Sequence, residues 1–172
     1  MTDALAAFLK ARLDEDEQTA NAPSSAVWAS PEWRFTDGDD GPFVDLGTNQ
    51  LAEGSGLNAA ELEHIARQDP ARTLREVEAK RGLLDAALTD RHHVSADQYE
   101  TCPRATAADG LDETTLAALE DLNEERRQED GVEPKCWDSC GRDARVRRTL
   151  ELLALPHSDH PEYEEALTAD QA

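Results

Sequence analysis

At Asp69-Pro70 one helix cannot run on into the next. Proline has no backbone N–H to donate, and its ring collides with the preceding turn, so a helix reaching this point must stop. The same residue fits the first position of a new helix, and Asp69 has the side chain of a strong N-cap. The flanking sequence therefore predicts two helices. A short one opens at Asn58 and carries Leu62 and Ile65; a longer one runs from Pro70 to about Asp90 with a stripe of Leu74, Val77, Leu84 and Leu88, interrupted by Arg81. This longer helix is the expected centre of the fold. Its single interrupted stripe reads as intramolecular core rather than as a dimer seam.

The remaining elements follow from similar signals. Thr2 opens a first helix in which Leu5, Phe8, Leu9 and Leu13 recur on one face, ending near Ala20. Short apolar patches (Val27 with Trp28, Trp33 with Phe35, then Phe43, Val44 and Leu46) are separated by the turn residues TDGDDGP and predict a small hairpin. Residues 47–58, with GTNQLAEGSG, read as a loop. A helix over 112–129 has Leu116, Leu119 and Leu122 on one side, and a last one from near Asp143 carries Val146, Leu150 and Leu153 until Pro156 stops it. A short tail helix with Tyr163 and Leu167 follows Pro161. The expectation is a mainly α chain with a small β-hairpin, an α+β fold with a compact helical core and an acidic insertion. Residues 1–172 are one domain's worth of chain, with 95–135 as the acidic insertion, expected to be partly disordered, and 156–172 as an acidic tail.

Charge narrows the partners. Asp and Glu number 38 against 17 Lys and Arg, a net charge of −21, and such a chain repels nucleic-acid backbone and anionic membrane. The acid is uneven: Glu61 to Arg81 balances five acidic residues with five basic ones, whereas the excess sits at 14–17, 37–40, 112–130 and from Asp159 onward. No apolar run is long enough to cross a bilayer, and the N-terminal MTDALAAFLKARLDEDE lacks the pattern of a secretory signal. Three cysteines make a disulfide framework improbable. A cytoplasmic protein with reduced thiols or metal ligands is the expectation, with oligomeric state left open.

Metal binding is the chemistry these residues suit best. Cys136 and Cys140 lie four apart, Cys102 precedes them, and His92 with His93 follows the central helix. If the acidic insertion folds back, His92, Cys102, Cys136 and Cys140 form a set that zinc takes tetrahedrally, with cysteines as thiolates and histidine neutral. The other reading is three free thiols and two surface histidines. His157 and His160 share Asp159 between two prolines, which places them in a turn and makes Asp159 or His160 an opening residue of the tail helix rather than a ligand. His64, near Glu61, reads as a packing or capping residue. Arg142, Arg145, Arg147 and Arg148 form the basic cluster, expected to pair with the protein's own acid, the 112–130 segment in particular. Gly54 to Gly56 has no strand or helix signature of a phosphate loop, and there is no HExxH, Walker-type lysine or dinucleotide fingerprint. No catalytic residue is assigned.

Three segments, MTDALAAFLKARLDEDEQTA, EHIARQDPARTLREVEAKR and TLELLALPHSDHPEY, in this order and with Trp28 after the first helix and a cysteine pair before the last long one, resemble an uncharacterised family of actinobacteria and their phages, domain of unknown function 6221. The resemblance implies a cytoplasmic, often phage-associated accessory protein, and it implies a comparable cysteine pair and a histidine after the central helix. The chain departs from the family pattern in its longer, more acidic segment between Ser95 and Pro134 and in His157, where an aromatic is usual. The expected function is a non-catalytic, zinc-stabilised module that binds another protein. Two alternatives are an acidic nucleic-acid mimic that inhibits a DNA-binding protein, and a small metal-dependent enzyme.

Overall fold

The structure is a computed structural model that describes residues 2–23, 30–39, 41–47 and 56–169, together with the backbone of 51–52. Its helices are α1 (Asp3–Asn21), α2 (Ala59–Arg67), α3 (Pro70–Leu88), α4 (Glu113–Asp130), α5 (Arg142–Ala154) and α6 (Tyr163–Ala169). Strands β1 (Arg34–Gly38), β2 (Gly41–Asp45) and β3 (Leu51–Ala52) complete the fold. It is mainly α with a small β-hairpin, as the patterning predicts.

Asp69 performs the role its sequence position suggests, and a second one. One carboxylate oxygen accepts the Arg72 N–H at 2.6 Å to cap α3, while the other accepts the Trp33 N–H at 3.4 Å. With the Ala71 N–H donating to the Pro31 carbonyl, the capping residue also ties the start of the hairpin to the start of α3. Asn58 caps α2 through a reciprocal capping box with Glu61.

The main core is where α1 lies against α3, α5 and α6. Leu5, Phe8, Leu9 and Leu13 from α1 meet Val77 and Leu84 from α3, Val146, Leu150 and Ala154 from α5, and Tyr163 and Ala166 from α6. Each fully buried leucine here is worth roughly 1.5–3 kcal/mol of transfer free energy. Arg81, which interrupts the α3 stripe, reaches across to Asp14 at 2.6 Å and Glu17 at 2.8 Å on α1. The break in the apolar pattern is thus an interhelical ion pair at the edge of the core.

A smaller core joins α2 to the sheet. Val44 on β2 is enclosed by Leu62 and Ala66 of α2, with Trp33, Phe35, Leu46 and Ile65 around them. The hairpin pairs Arg34 with Asp45 and Gly38 with Gly41, which puts Val44 on the face toward α2.

Some expectations need correction. Within the predicted 47–58 loop, Leu51 and Ala52 pair with β2 as a third strand, because the outer edge of β2 offers unpaired backbone groups that a short extended segment can satisfy. Helix α3 ends at Leu88, with Thr89 as its C-cap, before the expected Asp90. Thr2 precedes α1 without a side-chain cap. Val27 and Trp28 lie outside the described residues. Among the described residues no helix is long and apolar enough to cross a membrane.

Candidate metal centre

Beyond α3 the chain zips back on itself before it reaches α4. The Cys102 N–H donates to the His93 carbonyl at 3.0 Å, and the buried Thr101 hydroxyl oxygen accepts the Ser95 N–H at 3.0 Å. The turn at 107–109 is closed by Thr106 and Asp109, and Asp112 caps α4 through the Thr115 N–H. Leu119 of α4 packs with Ala105, Leu111, Cys102 and Cys140 into a third, compact core flanked by Val94, Leu116, Cys136 and Trp137. The buried Asn123 amide donates to the Pro103 carbonyl at 2.8 Å. Arg126 reaches from α4 over the Trp137 ring at 5.6 Å.

This folding-back brings His92, Cys102, Cys136 and Cys140 together, with one ligand atom from each lying within 4.8 Å of all the others. The His92 Nδ1 is 3.4 Å from the Cys102 Sγ and 3.7 Å from the Cys140 Sγ. Zinc held tetrahedrally at about 2.3 Å from sulfur and about 2.05 Å from nitrogen sets an S···N edge of about 3.5 Å. The two measured distances straddle that edge, and the donor set of three thiols and one imidazole is one that zinc accepts. None of the cysteines is in a disulfide. His93, the other candidate after α3, has an exposed side chain; its contribution is the backbone N–H that donates to the Cys140 Sγ at 3.2 Å.

Local backbone geometry explains how Cys136 and Cys140 come to face the same point. The N–H groups of Cys140 and Gly141 both donate to the Trp137 carbonyl, at 3.0 and 2.8 Å. That tight turn requires Gly141 at φ 63°, a left-handed conformation suited to a residue without a Cβ, and α5 starts directly after it. The three-residue gap between the cysteines is therefore a single turn leading into a helix.

Electrostatics favours a neutral imidazole at His92 and a protonated thiol at Cys102. Burial pushes the Cys102 thiol up to about 12, against the backbone N–H groups of Arg104 and Trp137 that would favour the thiolate. Burial also acts to raise Cys140, but the N–H groups of His93 and Arg142 and the Cys136 and Cys102 thiols hold it below the ordinary thiol value. Burial lowers His92 despite the facing carboxylates of Asp143 and Asp109. A cation at this point would draw off the thiol protons and meet an imidazole already free to ligate.

Around the four candidate ligands lie groups that the sequence reading missed. The Asp143 carboxylate stands 3.6 Å from the His92 Nε2, the ring nitrogen turned away from the sulfurs, a placement that favours the proton on Nε2 and leaves Nδ1 to face the cysteines. Asp109 accepts the His92 backbone N–H at 2.7 Å. Arg142 donates to the Asp90 and Leu88 carbonyls at the end of α3 and to Asp143. Arg145 donates to the Cys140 carbonyl and to the Asp90 carboxylate. Sequence placed Asp143 at the start of the last long helix; its three-residue separation from Cys140 was the available clue. A cleft of about 440 Å³ runs beside His92 and is lined by Asp90, Arg91, Arg104, Asp109 and Arg142.

The other candidates fall elsewhere. Three of the four cluster arginines, Arg142, Arg145 and Arg147, pair with the protein's own acid, but their partners are Asp143, Asp90 and Glu151 rather than the 112–130 helix, because α5 starts against the end of α3. Helix α4 supplies its own cation, Arg127, which gathers Glu120, Glu124 and Glu133. The Nδ1 of His160 accepts the Glu162 N–H at 3.2 Å just before α6, while its other nitrogen meets the buried Arg12. His157 and His160 both pack edge-on to Phe8. His64 is exposed, and Glu61 turns to the Asn58 N–H instead. Of Gly54 to Gly56, only Gly56 lies among the described residues.

No curated protein matches the chain, and no solved structure matches it. A match to a family of unknown function, DUF6221, extends over residues 2–168 and so takes in all three cores and every candidate ligand. The chain belongs to the family of unknown function DUF6221.

Proposed function

We propose that this protein is a non-catalytic helical module, stapled by one zinc ion, that acts by binding another protein. The observation that carries the metal half of this reading is the convergence of His92, Cys102, Cys136 and Cys140 within 4.8 Å. Four protein ligands complete a tetrahedral shell and leave no coordination position for a substrate, which is the mark of a structural rather than a catalytic zinc. The cleft beside His92 lends an enzyme little support, since Asp109 is taken up by His92 and Thr106 and Arg142 by the end of α3. Three reduced thiols side by side also fit a reducing compartment such as the cytoplasm. The family resemblance suggests an actinobacterial or phage-borne accessory protein.

The nucleic-acid-mimic reading is the weaker one. A phosphate-like array needs free carboxylates in a row, whereas Arg127 draws three of those on and next to α4 around one guanidinium.

Native mass spectrometry under reducing conditions, with and without a strong chelator, tests the metal half. The expected result is one zinc per chain, removed by chelation together with part of the folded structure and absent in Cys136→Ser. A metal-free chain whose folding is indifferent to chelator and to added zinc would overturn it.

A further inference from the structure

The outer face of α5 and the side of α6 beside it form a shallow apolar groove with a basic rim. Arg148, Leu152 and Leu155 follow one another at four- and three-residue steps, so they share one face of the helix. Leu152 is 49% exposed and Leu155 54% exposed. Tyr163 and Leu167 form the other wall of a depression of about 250 Å³. At the rim, Arg147 is already bound to Glu151 and to the Leu167 carbonyl. Among the described residues Arg148 has no ion-pair partner. Arg142, Arg145 and Arg147 on the same helix are each held by a carboxylate, which leaves Arg148 as the α5 cation open to an acidic group from outside.

We propose that this groove docks a short amphipathic helix of a partner protein, with leucine-sized residues at helical spacing in the depression and an Asp or Glu paired with Arg148. The proposal rests on the protein-interaction reading above and supplies its partner chemistry. Charge complementarity selects this occupant. A basic helix would place its cations on Arg148, and a second copy related by a two-fold axis would bring its own Arg148 to the same patch along with another −21 of charge. Glu151 also lines the depression but is engaged by Arg147, and screening at physiological salt limits the effect of more distant acid to about 8 Å, so a docked carboxylate meets the guanidinium of Arg148. A depression of this size suits one or two turns of helix, the helix-in-groove mode of recognition.

The test is selection from a displayed library of 16-residue helical peptides against the full-length protein as purified, with binding of the enriched peptides measured by fluorescence polarisation. Enriched peptides should carry leucine-sized residues at three- to four-residue spacing with an acidic residue beside them. They should bind Leu152→Asp at least tenfold more weakly, and Arg148→Glu should shift preference toward peptides with Lys in the acidic position. Both residues are exposed, so the thermal unfolding midpoint and the zinc content of the variants should match the wild type. Peptides that bind all three proteins equally, or that are basic and settle on α4, would overturn the groove while sparing the interaction reading. No enrichment at all would count against both. A dimer seen by light scattering and abolished by Leu152→Asp would assign the face to a second copy and overturn the proposal.

Discussion

Two regions of this molecule are held together by different means. In the α1–α3–α5–α6 core, side chains from four helices interlock, and the fully buried Leu9 and Leu150 are surrounded by other apolar groups. The 92–140 segment has a single α-helix, α4, of which only Leu119 and Asn123 are buried. Its core is small and is completed by two cysteines, Cys102 and Cys140. A long acidic segment with so few apolar contacts is poorly placed to offset the entropy of ordering its backbone, roughly 1–2 kcal/mol per residue. The contrast teaches that the helical core is a matter of hydrophobic burial, whereas the small core of the acidic segment closes around His92, Cys102, Cys136 and Cys140, the point at which the proposed metal would act.

The sharpest way to break this contrast is to remove the metal. Chelation is expected to abolish hydrogen-exchange protection across 93–140 while α1 and α3 stay protected; structural zinc contributes on the order of 10 kcal/mol of apparent folding free energy. Uniform loss would show that the two regions are one cooperative unit, and no loss that the acidic segment does not depend on a metal. Leu150→Ala attacks the other side. It removes a fully buried side chain and should cost about 2–5 kcal/mol, lowering the thermal midpoint while mass spectrometry still finds zinc on the folded protein.

Asp143→Ala separates ligand from support. It leaves all four ligands in place, deprives His92 of the carboxylate 3.6 Å from its Nε2, and should weaken zinc by about 10–100-fold in a chelator competition. The pH dependence of that affinity has a definite sign. The Cys102 thiol, pushed up to about 12 by burial, is protonated at neutral pH without metal. Binding must release its proton, so affinity should fall by about tenfold for each pH unit of acidification per proton released. A flat profile between neutral pH and mild acid would argue that the thiols do not ligate. The smallest effect belongs to Asp69→Ala, which removes the α3 cap and should cost about 1 kcal/mol of stability with no change in zinc affinity.

Much of this was legible in the sequence because it is written in local signals. Asp69-Pro70 marks the start of α3, Asn58 with Glu61 that of α2, and Asp112 that of α4, since each cap acts within a few residues of itself. The four candidate ligands could be named because cysteine and histidine are few and chemically distinctive. What surrounds them could not be read in the same way. That His92 rather than His93 faces the sulfurs depends on how the chain leaves α3, and the approach of Asp143 to the imidazole depends on the packing of α5 against α3. The third strand escaped notice because two residues carry no periodicity; only an open edge on β2 gives them a role. The partners of the arginine cluster were misplaced for a related reason: balancing opposite charges along a sequence does not reveal which of them are neighbours in space.

The position of Arg142 has a consequence for the order in which the molecule is completed during synthesis. Its guanidinium secures the end of α3, its neighbour Asp143 faces His92, and Cys140 lies two residues before it. When the ribosome has delivered α1 to α4, the first helix still lacks Val146, Leu150 and Tyr163, and the cluster at His92 still lacks Cys136 and Cys140, two of its three cysteines. One short stretch emerging from the exit tunnel, 136–163, therefore finishes both regions almost together, and until then a nascent chain carries exposed leucines and unclaimed thiols that depend on the next few seconds of translation.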